Sequence, residues 1–191
     1  MSESSTRERL IAAAFVVVAR EGLDAASVKA IAAEARVTSG LLHYHFPTKD
    51  ALLEAALRQA LESYLVRVRT RRLASAREDQ LQAFFSEARQ AVTTDAEFFR
   101  ARLAFAVRAL AHPQLADVLR ALNAAAIAET ALTFAAAAGR DSASERDLQL
   151  AATLKAAFDG LMLSWLTDPS FPIDAAGEIL SVAAKAWLER P

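Results

Sequence analysis

Three hydroxyl residues near the start of the chain, Ser27, Thr38 and Thr48, each stand where a helix should begin, and Lys49 follows the last of them. The first N–H groups of a helix lack intrahelical partners and carry partial positive charge. A row of such ends, each with a hydroxyl beside it, is suited to phosphate oxygens. Lys49 adds a point charge at one end, and Lys29 another just inside the helix that Ser27 opens. Between them lie His43, Tyr44 and His45, all able to donate hydrogen bonds. Two histidines two positions apart on a helix diverge by about 200°, so they cannot share a metal ion from one turn, and no metal site is expected. The sequence has no nucleophile elbow, HExxH, P-loop or GxGxxG, so neither an enzyme nor a cofactor is expected. With no cysteine there are no disulfides or thiolate metal sites.

The elements that must position these groups are helices. Alanine dominates, Leu, Arg and Glu are common, and five Gly with five Pro are too few for the frequent turns of a β-protein. Leu10, Ala13, Ala14, Val17 and Val18 make a one-sided stripe on a first helix that Thr6 can cap and Gly22 can end. Ser27 opens a short second helix with Ile31, Ala32 and Ala35 inward. Arg36 and Val37 form a turn, and Thr38 opens a third helix that reaches about Phe46, where Pro47 closes it. Thr48 opens a fourth, long helix to about Leu73. Further long helices follow: 79–93, 96–111, 113–138, 145–166, and a last one capped by Asp174. The expected fold is all-α with about nine helices.

Net charge is −1, and residues 1–49 hold six Lys/Arg against five Asp/Glu. Any contact with nucleic acid must therefore come from the placement of a few positive groups rather than a general basic field. Leu10–Ala19 is ten apolar residues between arginines, short for a membrane span, and reads as a buried helix rather than a signal segment. The alanine-rich run 121–138 is interrupted by Asn123 and Glu129 and reads as a helix in water. A cytoplasmic location follows as the expectation, without membrane partners. The arginines 67, 69, 71, 72 and 77 read as a solvated helix end.

Two short helices joined by a tight turn under a longer first helix describe a helix-turn-helix. The stretch from Leu10 to about Leu57 resembles the N-terminal domain of the tetracycline-repressor family. The most specific part is Gly40-x-Leu42-x-x-His45-Phe46-x-x-Lys49-x-x-Leu52-Leu53. The resemblance implies a DNA-binding transcriptional regulator, a repressor that a small-molecule ligand releases from its operator. It divides the chain into a DNA-binding domain, 1–50, and a ligand-binding and dimerisation domain, 51–191. By resemblance, Ser39, Gly40, Leu41, His43 and Tyr44 face the major groove, whereas His45 and Lys49 meet the backbone, with Ser27, Lys29, Thr38 and Thr48 beside them. Leu42 and Phe46, four apart, turn into the core. Two positions depart from the pattern: His43 stands where tyrosine is usual, and Arg36 where glycine is common in the turn.

For the larger half, the resemblance implies an apolar pocket, for which Phe99, Arg102, Phe105, Arg108, Phe134, Phe158 and Met162 are the candidates, an arginine anchoring the effector's polar end. Leu161 and Trp165 on the penultimate helix, with Ile179, Val182, Ala183, Ala186 and Trp187 on the last, form apolar stripes that the resemblance assigns to a homodimer interface. A twofold dimer suits a palindromic double-stranded operator. The run Phe158-Asp159-Gly160-Leu161 is similar to the choline-responsive (BetI-type) regulators. The alternatives are a helical small-molecule binder or scaffold without DNA binding, and a transcriptional activator of the same fold. The intact caps, Gly40 and Lys49 favour a DNA-binding protein.

Overall fold

The computed structural model describes residues 5–189, apart from the side chains at positions 71, 78 and 93. Among the described residues there are nine α-helices, one 3-10 turn and no strand: α1 (Thr6–Glu21), α2 (Val28–Glu34), α3 (Ser39–His45), α4 (Lys49–Ala74), the 3-10 turn Arg77–Asp79, α5 (Gln80–Thr94), α6 (Ala96–Ala109), α7 (Pro113–Ala137), α8 (Glu145–Thr167) and α9 (Ile173–Leu188). The chain forms two compact units. One comprises the chain up to Ser63 together with Glu97–Leu122, and the other comprises Tyr64–Ala96 and everything from Asn123 onward.

In the first unit the stripe on α1 is the core. Leu10, Ala14 and Val17 have no accessible surface, and Ile31, Leu42, Leu52 and Leu57 complete it from α2, α3 and α4. Truncating one of these leucines to alanine would cost about 2–5 kcal/mol through lost burial and the cavity left behind. The cap of α1 is Ser5, not Thr6. The Ser5 hydroxyl accepts from the Glu8 N–H at 3.2 Å and the Glu8 carboxylate accepts from the Ser5 N–H at 2.9 Å, a reciprocal box that Thr6, with no acid at the matching spacing, could not form. Gly22, at φ 84°, ends α1 as expected, its N–H donating to the Val18 carbonyl. Arg20 reaches both Glu21 and Glu34, tying the ends of α1 and α2 together.

In the second unit Ala131, Phe134, Leu150, Ala151, Leu154 and Ala184 form the core, and Phe84 sets its ring edge-on to Phe134 at 5.4 Å. Gly139 (φ 74°) ends α7, and the Arg140 N–H closes the turn on the Ala135 carbonyl. Ser144 caps α8 as expected, with Asp147 completing a capping box. Asp174, in contrast, is not the cap of α9: Pro172 holds that position and Asp174 lies in the first turn, where its charge suits the helix dipole.

Of the arginines expected to be solvated at the end of α4 and just beyond it, Arg67, Arg69 and Arg77 are exposed and Arg72 is not. Arg72 pairs with Glu129 on α7 at 3.1 Å with both side chains mostly buried, Arg77 pairs with Asp141, and Arg67 lies 4.0 Å from Asp95. The side chain of Arg71 lies outside the described residues. Helix α7 is long and apolar enough, by length and composition, to cross a membrane, but 39% of its most apolar window is buried in the protein and Glu129 within it is ion-paired.

Candidate nucleic-acid interface

The turn between α2 and α3 is built by hydrogen bonds across it. The Val37 N–H donates to the Ala32 carbonyl at 2.9 Å and the Arg36 N–H to Ala33 at 3.1 Å, which brings Arg36 to φ 55°. Among the described residues Arg36 is the one non-glycine residue with positive φ, in the left-handed region that glycine occupies without cost. The glycine common at this turn has its physical reason in that angle.

Each of the three expected caps opens a helix, in different ways. The Ser27 hydroxyl accepts from the Ala30 N–H and the Thr48 hydroxyl from the Ala51 N–H, both at 3.1 Å. Thr38 holds the cap position of α3 but makes no capping bond with its side chain. Beyond it, Ser39, Gly40, Leu41, His43 and Tyr44 are all exposed, Tyr44 to 82%, while Leu42 is fully buried and Phe46 nearly so. The Arg7 guanidinium lies over the Phe46 ring at 5.2 Å, a contact from α1 that holds the far end of α3. His45 and Lys49 are half-buried, with the His45 ring edge-on to Tyr44 at 5.1 Å; Ser27, Lys29 and Thr48 are exposed. One face of α3 is thus packed, and the other offers hydroxyl, imidazole and phenol groups to solvent.

Gly40 is informative by what surrounds it. A Cβ placed there would meet only the Thr38 hydroxyl, at an ordinary 3.9 Å, and the residue is in α3 with helical backbone. Nothing inside the molecule requires a glycine there.

Residues 10–56 match the bacterial regulatory proteins of the tetR family, and residues 77–189 match the C-terminal part of the BetI-type transcriptional repressors. The chain belongs to the tetR family. This TetR-family regulator is 28% identical, over 90% of its length and 89% of the relative's, to the HTH-type nicotine-responsive transcriptional repressor HdnoR of Paenarthrobacter nicotinovorans. Its fold matches a transcriptional regulator of Rhodococcus sp. Rha1 with a TM-score of 0.77 at 29% identity, covering 97% of both chains. It also matches a Saccharomonospora viridis transcriptional regulator crystallised with choline (TM-score 0.80, 22% identity, 96% and 97% covered). A DNA-binding helix-turn-helix regulator of transcription is what the family membership establishes.

The residues expected to hold an effector fall in both units of this TetR-family chain. On α6, Phe99 and Phe105 are buried in the first unit. Arg102 is 8% exposed with its guanidinium over the Phe99 ring at 5.6 Å, and Arg108 holds Asp50 at 2.7 Å. In the second unit Phe134 and Met162 have no accessible surface, Phe158 is half-buried, and neighbouring Asp159 pairs with Lys155. On α9, Ile179 and Val182 are 69% and 62% exposed and Ala183 and Ala186 are exposed too, while Ala184 has no accessible surface. Trp187 lies under the Arg146 guanidinium at 5.2 Å, and Leu161 and Trp165 on α8 are half-buried. The sequence reading missed the Asp50–Arg108 and Arg7–Phe46 contacts, which no local spacing signals. It also missed the Arg140–Asp147 pair, although Ser144-x-x-Asp147 carries the signature of a capping box.

Proposed function

We propose that this regulator is a cytoplasmic homodimeric repressor that holds a palindromic operator and leaves it when a small organic molecule binds the helices that follow α4. The DNA-binding part is residues 1–50, with Ser39, Gly40, Leu41, His43 and Tyr44 toward the bases and Ser27, Lys29, Thr38, His45, Thr48 and Lys49 toward phosphates. The observation that carries this reading is the division of α3: Leu42 and the adjacent Phe46 are buried, while every residue assigned to the bases is exposed and Gly40 has no internal reason to be glycine. The exposed apolar face of α9 at Ile179, Val182, Ala183 and Ala186, next to Trp187 and to Leu161 and Trp165 on α8, supports a twofold partner.

Release requires an effector that favours a protein state with lower operator affinity, since a ligand with equal affinity for both states shifts nothing. The effector candidates form two separate sets, Phe99, Arg102, Phe105 and Arg108 on α6 within the first unit, and Phe134, Phe158 and Met162 within the second. The name of HdnoR, a nicotine-responsive repressor, supports an organic base as the effector class. Selection of genomic fragments by the purified protein, followed by a gel-shift assay of the winning site with and without candidate bases, tests the proposal. A palindromic fragment bound by a dimer and released by one compound is the expected result. Failure to enrich any double-stranded fragment would overturn it.

A further inference from the structure

Six Lys and Arg stand against five acids among residues 1–49, so affinity for a polyanion depends on where the few uncommitted cations lie. Arg20 is committed to Glu21 and Glu34, and elsewhere in the first unit Arg58, Arg108 and Arg120 also hold carboxylates. Arg7 differs from them. It is exposed, its guanidinium lies over the Phe46 ring at 5.2 Å, and among the described residues no carboxylate is in ion-pair range of it. A ring contact is made by the charge and face of a guanidinium and uses none of its five N–H donors.

The ring beneath it fixes where this cation sits. Phe46 is 3% exposed and follows the last residue of α3, directly after His45 and two and three positions before Thr48 and Lys49. From the first turn of α1, Arg7 therefore closes over the junction of α3 and α4, at the edge that carries the proposed phosphate contacts. Its own helix gains nothing from it, because a cation in the first turn opposes the helix dipole. The acids that adjoin Arg7 and Lys49 in sequence are engaged elsewhere. The Glu8 carboxylate accepts from the Ser5 N–H at 2.9 Å, and Asp50 is held by Arg108 at 2.7 Å.

We propose that Arg7 is a further backbone contact of the operator, donating two parallel N–H groups to a phosphate beside those held at Thr48 and Lys49. Phe46 is the seat that keeps the guanidinium in place for it. This rests on the reading that α3 presents its exposed face to the bases, and it adds α1 to the DNA-binding surface. Arginine suits the role better than lysine. Its planar fork matches a phosphate, and a guanidinium already held on a ring loses less freedom on binding.

The test is a fluorescence-anisotropy titration of the full-length protein across salt. The probes are the operator selected from genomic fragments and a mixed-sequence duplex of about 30 base pairs. Arg7→Met keeps the ring covered and removes the charge. It should weaken binding to both probes by about tenfold per protomer and lower the slope of log affinity against log salt by about one unit per protomer. Arg7→Lys should restore most of the slope but less of the affinity, since the charge returns without the fork. Arg9→Ala removes the same charge about 200° round the helix and should leave the slope unchanged. An unchanged slope in Arg7→Met would mean that the arginine only covers Phe46, and would overturn the proposal. An equal loss of slope in Arg9→Ala would overturn it too, since the effect would then be one of net charge. Lys49→Ala in the same series separates this from the broader reading. If Lys49→Ala lowers the slope and Arg7→Met does not, only the Arg7 contact falls; if wild type holds neither duplex, the DNA-binding reading falls and Arg7 with it.

Discussion

Arg108, in the last turn of α6, holds Asp50, the second residue of α4, at 2.7 Å across 58 positions of sequence. Each charge also suits its own helix end, the cation near a C-terminus and the anion near an N-terminus. Asp50 follows Lys49 directly, so the pair ties α6 to the helix start that carries the proposed phosphate contact. Arg108 is one of the two arginines expected to anchor an effector, and in the structure it makes this pair. A double-mutant cycle with Arg108→Met and Asp50→Asn, read by denaturant unfolding, should give a coupling of about 0.5–1 kcal/mol that shrinks in high salt, the range for a pair this exposed. Strict additivity of the two changes would show that the contact contributes nothing.

Lys49→Ala should weaken operator binding by a similar factor on every sequence and lower the slope of log affinity against log salt by about one unit, because one phosphate contact is lost. Tyr44→Ala and Ser39→Ala should instead alter base preference. Salt titrations on the selected operator and on unrelated DNA make the comparison, and an unchanged slope for Lys49→Ala would remove it from the phosphate set.

Two substitutions in the helix-turn-helix should separate stability from DNA binding. Arg36→Gly relieves a left-handed residue and should stabilise the fold by about 0.5–1 kcal/mol. Gly40→Ala replaces a helical glycine whose Cβ meets no obstacle and should also stabilise, by up to about 1 kcal/mol, while reducing operator affinity because the added methyl stands on the exposed face. Thermal unfolding and gel shifts measure the two effects. Undiminished operator affinity in Gly40→Ala would mean that the helix does not approach the bases there.

The buried Asp147 carboxylate accepts two hydrogen bonds from the Arg140 guanidinium, at 2.6 and 2.7 Å. This pairing, helped by the Ser144 hydroxyl and N–H and opposed by burial, holds its pKa at about 2 against an ordinary 3.8. A carboxylate with a depressed folded pKa stabilises fully above its unfolded value and loses that contribution as pH falls through the folded one. The loss here lies between about pH 4 and pH 2. Asp147→Asn should therefore cost about 2 kcal/mol at neutral pH and progressively less below pH 4. Urea unfolding across that range tests it, and a cost that stayed constant with pH would contradict the ion-pair account.

Val182→Glu probes assembly with little effect on the chain's own packing, since Val182 is 62% exposed. Two carboxylates brought into a desolvated twofold interface should break the dimer. Sedimentation should then show monomers with an unchanged melting curve at low concentration, and much weaker operator binding. Trp187 is the poorer probe because its ring and carbonyl also hold Arg146. A wild-type protein already monomeric at micromolar concentration would remove the proposed interface.

Much of this was legible in the sequence because it is local. Hydrophobic period, caps at Ser27, Thr48 and Ser144, and stops at Gly22, Gly139 and Pro47 act within one or two turns, and the structure has helices where those signals place them. Leu42 and Phe46 are inward for the same reason, whereas the sequence showed Arg36 in a glycine's place and the structure supplied the left-handed angle. The choice between Ser5 and Thr6 went the other way because a one-residue shift in a cap depends on which acid can reach back.

The tertiary structure decided what depends on partners far away in the chain. The partners of Arg72, Arg77 and Arg108 are Glu129, Asp141 and Asp50, between 57 and 64 positions away. Sequence spacing cannot report such encounters, because many pairings of the same charges are compatible with the same helices. Gln80 is the clearest case: by residue type it is an ordinary polar helix start, and only packing leaves one end of its amide bonded to the end of α4 and the other buried without a donor. Helix positions follow from local backbone and burial energies, whereas the partners of charged and polar side chains follow from which distant segments packing brings together.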